Sequence, residues 1–299
     1  MTSLATQWLL QTLSGTFNRY ALLDSRAGAS FPHDQSGSVL VITGLAFEAR
    51  LVQACSGVNV LYGVGAALTD PDSPLGKRVA EAAAKASGIV SFGTAGGLDP
   101  QWLPGDCLLA TEVVSHLPDA SASNHVIDRA GRPLVDQFSQ APTPMVDSIY
   151  SGAPIYQTYA TDQAWLQALA HLLPKAHQVS LFGAEAPVVS AKDKALLFSR
   201  SQAGAVDMES HHLARLAAVN GVPFAVCRVV IDRATETLPP AALAGMSSDG
   251  QTHILPVLAS LLRQPSQLPA LLRLGRDASR ARQALRHIGK HIPPRFGLV

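Results

Sequence analysis

The chain has 299 residues, of which 47% are apolar and 15% are charged. This balance supplies enough apolar surface for a large buried core and excludes an intrinsically disordered protein. The net charge of +1 gives no sign of a nucleic-acid-binding protein, and three scattered cysteines exclude a disulfide framework or a cysteine zinc site. Because the chain also has no apolar run of membrane-spanning length and no secretory signal at its start, we expect a cytoplasmic protein.

In chain order, an appendage is predicted at residues 1–37 and a strand at 38–44. The run Ser-Val-Leu-Val-Ile-Thr-Gly is short, continuous and β-branched, as in strands buried on both faces of a sheet. Its last residue, Gly44, stands where α/β sheets bind ligands, just beyond the carboxyl end of a strand. The helix-like segment that follows carries Glu48 and Arg50.

A glycine-rich loop is predicted at residues 93–97, after an apolar strand that begins at residue 88. Glycines allow a backbone and its N–H groups to approach a ligand closely, which suits a ribose, a phosphate or a base. The segment has neither the G-x-G-x-x-G spacing nor a P-loop lysine, which excludes a dinucleotide or ATP fingerprint. A tight turn without any ligand is the alternative interpretation.

Residues 116–159 are polar and rich in turn residues, and they predict an excursion or lid outside the core. His116 and His125 in it are candidates for a ligand or catalytic group, although solvated loop histidines are the more common case. Helices are predicted at 161–173 and 192–201, on either side of a strand near residue 180.

Two acids, Asp207 and Glu209, flank Met208 where an apolar run ends and a helical pattern begins. Buried charge is tolerated only when it is paired or hydrogen-bonded, so we expect a cation or a polyhydroxylated ligand beside these acids. The helical pattern continues to Gly221, which is typical of a helix stop. Asp and Glu are also ordinary residues at a helix start, and this simpler interpretation stays open.

The strongest strand in the sequence, at residues 223–232, places Asp232 at its carboxyl end, where catalytic groups of α/β sheets lie. The alternative is that Asp232 only caps the next turn. Strands alternate with helices from residue 38 to the end of the chain, which predicts one α/β domain at 38–299.

The C-terminal part is basic and amphipathic. Seven arginines and one lysine between residues 263 and 295 oppose a single acid, a local charge of +7 that leaves about −6 for the rest of the chain. Apolar residues recur at helical spacing between the arginines, as expected of a helix packed on a core. The alternative is a helix that lies on an anionic membrane surface.

Acids at several strand ends suit cleavage of a C–N glycosidic bond, which passes through an oxocarbenium-like state. Asp232, with a pKa raised by burial, is predicted to protonate the leaving purine. Glu209 is predicted to accept hydrogen bonds from the ribose hydroxyls, above an apolar floor formed by Met208. Glu48 is predicted to activate a water molecule.

The segments 92–97, 205–210 and 222–232 together resemble the nucleoside phosphorylase and nucleosidase superfamily, especially its methylthioadenosine/adenosylhomocysteine nucleosidase branch. The resemblance implies a single three-layer α/β domain with a central mixed β-sheet flanked by helices. It also implies a homo-oligomer that needs neither a metal nor a cofactor. Ile231 replaces a serine of that branch, and the aromatic residue expected near Pro187 is absent. The implied substrate contacts are Thr94, Gly96, Val188, Met208 and Glu209.

The segments 43–50, 207–211 and 238–246 are also similar to the hopanoid-associated phosphorylase family. This second resemblance implies adenosylhopane as the substrate, a lipid-linked adenine nucleoside that would be cleaved to adenine and ribosylhopane. A lipid substrate would make peripheral contact with the inner membrane surface useful. A catalytically silent nucleoside- or lipid-binding protein is the alternative from another functional class.

Phosphorolysis would need fixed cations, preferably arginines, around a phosphate. Glu48 and Ser91 stand where the phosphorylase branch has its phosphate-binding arginines, so hydrolysis is favoured. Arg50 and Arg233 could supply the missing charge from other directions, which keeps phosphorolysis open. The phosphate site would then include Gly44, Arg50 and Thr94.

Overall fold

The computed structural model describes residues 37–65, 68, 70, 72–116, 156–244 and 254–298. These residues form eight strands and eight α-helices. The strands are β1 (Val39–Thr43), β2 (Val58–Tyr62), β3 (Gly88–Gly97), β4 (Cys107–His116), β5 (Tyr156–Ala160), β6 (His177–Gly183), β7 (Ala205–Asp207) and β8 (Phe224–Asp232). The helices are α1 (Ala46–Val52), α2 (Pro74–Lys85), α3 (Gln163–Leu172), α4 (Ala191–Ser201), α5 (Ser210–Asn220), α6 (Pro240–Ala244), α7 (Ile254–Arg263) and α8 (Leu268–His291). Within these ranges, no helix has the length and apolar character to cross a membrane.

All eight strands belong to one mixed sheet with the order β2-β1-β3-β7-β6-β4-β5. The remaining strand, β8, runs parallel to β3 on one side and antiparallel to β4 on the other. Strands β3, β8, β4, β6 and β7 therefore close into a ring of paired strands. Because β1, β3 and β8 are parallel, their carboxyl ends reach the same edge of the sheet.

Helices cover both faces of the sheet, as β1 illustrates. Every residue of β1 is fully buried, as its β-branched sequence predicts. Leu40 and Ile42 pack with apolar residues of α2 and α5 on one face. Val39 and Val41 point to the other face, where α1, α3 and α8 cover them. The predicted three-layer α/β domain with a central mixed sheet is confirmed.

The basic helix α8 is packed against the core. Ala281, Leu285 and Ile288 lie on its buried side, and none of the three is more than 4% exposed. The interpretation of the amphipathic pattern as a core-packed helix is therefore correct. A membrane could contact only the outer, arginine-bearing side of α8, because the sheet already occupies this apolar stripe.

The glycine-rich loop predicted at residues 93–97 is not a loop. Strand β3 continues through all of these glycines to Gly97, with β8 beside it up to the pair Gly96–Asp232 and with β7 beside its last two residues. The ladder hydrogen bonds of these neighbours hold the segment extended. The absence of side chains still matters, because polar side chains from neighbouring elements lie directly against it.

Several predictions fall on residues that the structure does not describe. These are the predictions for residues 1–36, for His125 within 117–155, and for the segment 245–253. The end of the predicted excursion is a strand, since β5 pairs antiparallel with β4. His116 is the last residue of β4, and its ring centroid lies 5.3 Å from that of Tyr156.

Candidate active site

The acidic stretch after β7 meets a buried cation, as expected, and that cation is Arg228. Arg228 lies in the middle of β8 and is 1% exposed. Its Nε is 2.6 Å from Oδ2 of Asp207, an ion pair, and its Nη2 donates to Oε2 of Glu209 over 3.1 Å. Burial by itself lowers the pKa of Arg228, but the neighbouring carboxylates of Asp207, Glu209 and Glu48 more than offset it and the pKa is raised.

The two acids of this stretch do different work. Asp207 accepts a 3.0 Å hydrogen bond from the backbone N–H of Ser210 at the start of α5, so the simple helix-start interpretation holds for Asp207. Glu209 is the N-cap residue of α5, yet its side chain makes no capping hydrogen bond. One of its carboxylate oxygens goes to Arg228, and the other lies against Gly44, where an added Cβ would come within 2.9 Å of Oε1.

A serine pair joins the cation to the start of α5. Arg228 Nη2 donates to Oγ of Ser91 over 2.6 Å, and Oγ of Ser91 lies 2.8 Å from Oγ of Ser210. The Ser210 hydroxyl donates to the carboxylate of Asp207. Both serines are fully buried. Ser91 thus orients the guanidinium of Arg228.

Glu48 reaches the same cluster from the first turn of α1 and is 1% exposed. Its Oε1 accepts hydrogen bonds from the backbone N–H of Thr94 (2.9 Å) and from the Thr94 hydroxyl (2.8 Å). Burial is the main influence and raises the pKa of Glu48. Gly93 makes room for this contact: its φ is +148°, and an added Cβ would lie 2.5 Å from Glu48 Oε2 and 2.9 Å from Arg228 Nη1.

Asp232 lies at the same sheet edge and is 5% exposed. It does not cap the following turn; its Oδ2 is paired with Nζ of Lys194, a residue of α4 that is 1% exposed. Lys194 also donates to the backbone carbonyls of Arg233 (2.9 Å) and Glu236 (3.1 Å). Burial raises the pKa of Asp232, and the ammonium of Lys194 offsets this only in part.

Gly96 lies between the charged residues around Arg228 and the Asp232–Lys194 pair. It lies between β7 and β8, where an added Cβ would be 3.4 Å from Val206 Cγ1 and 3.3 Å from Asp232 Oδ1. Thr94, which holds Glu48, is two residues earlier on the same strand. Val188 follows β6 and packs with Val206 in a small apolar cluster. Met208 is partly buried between the two acids.

Two arginines suggested for a phosphate site do not join the cluster. Arg50 is exposed. It is two residues beyond Glu48 on α1. Residues that are two positions apart in a helix point about 200° apart around its axis, so Arg50 points away from the site. Arg233 Nε lies 3.4 Å from Asp277 Oδ2 on α8. Of the predicted phosphate residues, the structure brings together Gly44 and Thr94 but not Arg50.

Sequence reasoning missed Arg228, Lys194 and Ser210 as members of the site. The need for a cation beside Asp207 and Glu209 was a usable signal, but the local pattern did not identify which cation. Lys194 has no local signal, because it stands in a polar helix beside Lys192 and Asp193.

Comparison with known proteins gives one family. The sequence model of the Phosphorylase superfamily matches residues 13–254. No curated protein matches the chain significantly.

Solved structures similar to this chain include three nucleosidases. Futalosine hydrolase of Helicobacter pylori is 16% identical, with a TM-score of 0.48 over 84% of this chain and 96% of that chain. S-adenosylhomocysteine nucleosidase from Streptococcus pyogenes in complex with 5-methylthiotubericidin is 16% identical, with a TM-score of 0.49 over 88% of this chain and 100% of that chain. 5'-Methylthioadenosine/S-adenosylhomocysteine nucleosidase from Helicobacter pylori is 16% identical, with a TM-score of 0.47 over 85% and 98%.

Proposed function

Since this chain belongs to the phosphorylase superfamily, we propose that it cleaves the N-glycosidic bond of an adenine nucleoside and that water is the nucleophile. The observation that carries the choice of water is the charge balance around Arg228. Three carboxylates act on this one guanidinium: those of the buried Glu48 and Asp207 and of the partly buried Glu209. A phosphate dianion needs unpaired fixed cations, and here it would meet an excess of negative charge.

The hydrolytic step uses groups on both sides of the bond. Water adds to the anomeric carbon while the bond from that carbon to the purine nitrogen breaks. Glu48 takes the proton of the attacking water, a role that suits a carboxylate whose pKa burial has raised. Asp232 delivers a proton to the leaving purine, with Lys194 holding its carboxyl group in place. The second oxygen of Glu209 accepts hydrogen bonds from the ribose hydroxyls, beside Met208.

For the substrate, we propose adenosylhopane, with adenine and ribosylhopane as products. The support is the similarity of segments 43–50, 207–211 and 238–246 to the hopanoid-associated phosphorylase family, and it is independent of the charge balance. A triterpenoid nucleoside is presented at a membrane, so a basic surface beside the site would be an advantage.

Such a basic surface exists next to Asp232. A cavity of about 150 Å³ opens between α8 and the turn that follows β8, and four arginines and two acids line it. Arg273 and Arg276 are exposed on α8, and Arg233 directly follows Asp232 in the chain. We propose that this arginine surface rests on anionic lipid, where each Lys or Arg contributes about 1 kcal/mol. The lining residues are Arg233, Glu236, Arg273, Arg276, Asp277 and Arg280.

Vesicle sedimentation tests the membrane contact. Binding to vesicles that contain phosphatidylglycerol is expected for the parent protein and is expected to weaken in the double variant Arg273→Ala/Arg276→Ala. The matched control is Lys77→Ala/Lys85→Ala, which removes two exposed cations from α2 on the opposite face of the sheet. Equal loss of binding in both double variants would reduce the contact to a non-specific effect of net charge.

Product analysis tests the reaction itself. Purified protein is incubated with adenosylhopane and with simple adenine nucleosides, at zero and at millimolar phosphate, and free adenine is followed. Adenine is expected to be released at the same rate whether or not phosphate is added, and the sugar product is expected to carry no phosphate group. A rate that depends on phosphate, with a phosphoribosyl product, would instead establish a phosphorylase. Ligand binding without any turnover would establish the non-catalytic alternative.

A further inference from the structure

Glu185, His211 and His212 form a polar cluster that the reaction described above does not use. The Nε2 atom of His211 lies 3.0 Å from Oε1 of Glu185, and the Nε2 atom of His212 lies 3.3 Å from Oε2 of the same carboxylate. All three potential ligand atoms lie within 4.8 Å of one another. The two imidazole nitrogens therefore face the two oxygens of one carboxylate group, one nitrogen to each oxygen.

Local structure fixes the positions of the two imidazoles. Both histidines belong to the first turn of α5, and their ring centroids are 3.8 Å apart. The His211 ring packs directly on Gly183 at the end of β6, where a Cβ on that residue would overlap the ring. Within the part of the chain that the structure describes, Nδ1 of His211 is buried without a hydrogen-bond partner. Of the two ring nitrogens of His211, only Nε2 therefore has a polar partner, the carboxylate of Glu185.

The spacing of these atoms matches the coordination sphere of a small divalent cation. Zinc binds histidine nitrogen and carboxylate oxygen at about 2.0–2.1 Å in tetrahedral geometry, so neighbouring ligand atoms are about 3.3 Å apart. The nitrogen–oxygen separations of 3.0 and 3.3 Å, one to each oxygen of Glu185, are near that edge length, and the three ligand atoms all lie within 4.8 Å of one another. Imidazole and carboxylate are also donors that zinc and its neighbours in the transition series accept.

We propose that Glu185, His211 and His212 bind one divalent cation of the zinc class, with a fourth coordination position open to solvent. The side chain of Glu185 is 70% exposed, which gives the ion a path from the surface. The bound ion would cross-link the loop after β6 to the first turn of α5. That loop leads to Val188 and that turn follows Glu209, so the cross-link would stiffen the border of the nucleoside site without supplying a group to the reaction.

Calorimetric titration of Zn²⁺ into the chelator-treated full-length protein tests the proposal. One ion per chain is expected to bind, and Glu185→Gln and His212→Ala are each expected to weaken binding tenfold or more. These two positions are chosen because they are the less buried members of the cluster. Titration with Co²⁺ supplies a second measurement, since tetrahedral Co²⁺ absorbs visible light and the bands are expected only in the parent protein.

The control is the double variant His287→Ala/His291→Ala, which removes an exposed pair of histidines on α8 with ring centroids 4.4 Å apart. It is expected to bind Zn²⁺ like the parent protein. Zn²⁺ should also raise the melting temperature of the parent and of this control, but not of Glu185→Gln or His212→Ala. No binding by the parent, or binding that is lost in the control and kept in Glu185→Gln, would overturn the proposal.

Discussion

Two ionic clusters lie at the same edge of the sheet, and they differ in charge balance. Around Arg228, three carboxylates act on one guanidinium. Around Lys194, the single carboxylate of Asp232 faces one ammonium group, whose other hydrogen bonds go to backbone carbonyls. The first cluster carries excess negative charge when all of its acids are ionised, and the second is balanced.

This difference in charge balance suits the two groups that a glycosidic bond joins, the sugar and the base. Excess carboxylate stabilises positive charge that develops on a sugar and repels an anionic nucleophile. Burial is the main cause that raises the pKa of Glu209 to about 7; Arg228 opposes it, and the neighbouring carboxylates of Asp207 and Glu48 add to it. In the second cluster, burial raises the pKa of Asp232 despite Lys194, so this fixed carboxyl group can take up a proton and deliver it to the leaving base.

The largest effect is expected from Asp232→Asn, which removes the acid of the balanced cluster and keeps its shape. General acid catalysis contributes about 10²–10⁴-fold to a rate, so the release of adenine is expected to slow by that factor. Stopped assays of free adenine measure the rate, and circular dichroism checks the fold. An unchanged rate in a folded variant would remove Asp232 from the mechanism.

The next largest effect is expected on the stability of the protein, from a change in the Arg228 cluster. Arg228→Met leaves Asp207 and Glu209 buried without their cation, which is expected to cost about 3–5 kcal/mol in the free energy of unfolding. Urea titration at pH 8, above the pKa of about 7 of Glu209 in the parent, measures this loss. Arg50→Met, an exposed change on α1, is the control and should stay within about 0.5 kcal/mol of the parent. A fully stable Arg228→Met protein would show that the acids do not depend on this cation.

The acids of both clusters could be predicted from the sequence, whereas their cations could not. Glu209 and Asp232 end or follow apolar runs, and a strand end is a local signal. Arg228 is 19 residues from Glu209 in the chain, and they meet only because β8 and the turn after β7 both lie against β3. Lys194 and Lys192 look alike in sequence, and the way α4 packs decides which of them is buried.

In the fold, too, features that depend on the local sequence could be predicted, and features that depend on distant neighbours could not. Most strands and helices of the described residues lie where hydrophobic period and capping residues predict them. The extended segment from Gly93 to Gly97 was predicted wrongly, because glycine favours loops locally and only the neighbouring strands keep it in the sheet. Membership of the phosphorylase superfamily confirms the predicted enzyme class, cleavage of an N-glycosyl bond. The hopanoid substrate stays a prediction.

Removing the cation of the balanced cluster should change the pH dependence of the reaction. Lys194 lowers the pKa of Asp232, and an adjacent opposite charge is typically worth about 1–3 pH units. In Lys194→Met, Asp232 should therefore stay protonated to higher pH, and the basic limb of the kcat/KM profile is expected to move up by at least about one unit. Lys192→Met, an exposed change on the same helix, is the control and should keep the parent profile. If the two profiles coincide, Lys194 does not act on the proton of Asp232.

The smallest effect tests the charge excess of the Arg228 cluster through the pH dependence of stability. The pKa of Glu209 is about 7 in the folded protein, above its ordinary value of 4.5, so the folded state holds this proton more tightly than the unfolded state. The corresponding stabilisation is complete below about pH 4.5 and is lost as the pH rises through about 7. Its upper bound is about 3 kcal/mol, and the 17% exposure of the side chain reduces it.

Glu209→Gln keeps the shape and cannot lose this proton. The stability of the parent relative to Glu209→Gln is therefore expected to fall between pH 5 and pH 7.5 in urea titrations, and to become constant above that. Glu81→Gln, at an exposed position on α2, is the control and should follow the parent at every pH. A constant difference between the parent and Glu209→Gln would mean that Arg228 fully compensates Glu209. The cluster would then carry no charge excess at Glu209, and the electrostatic reason for preferring water over phosphate would disappear.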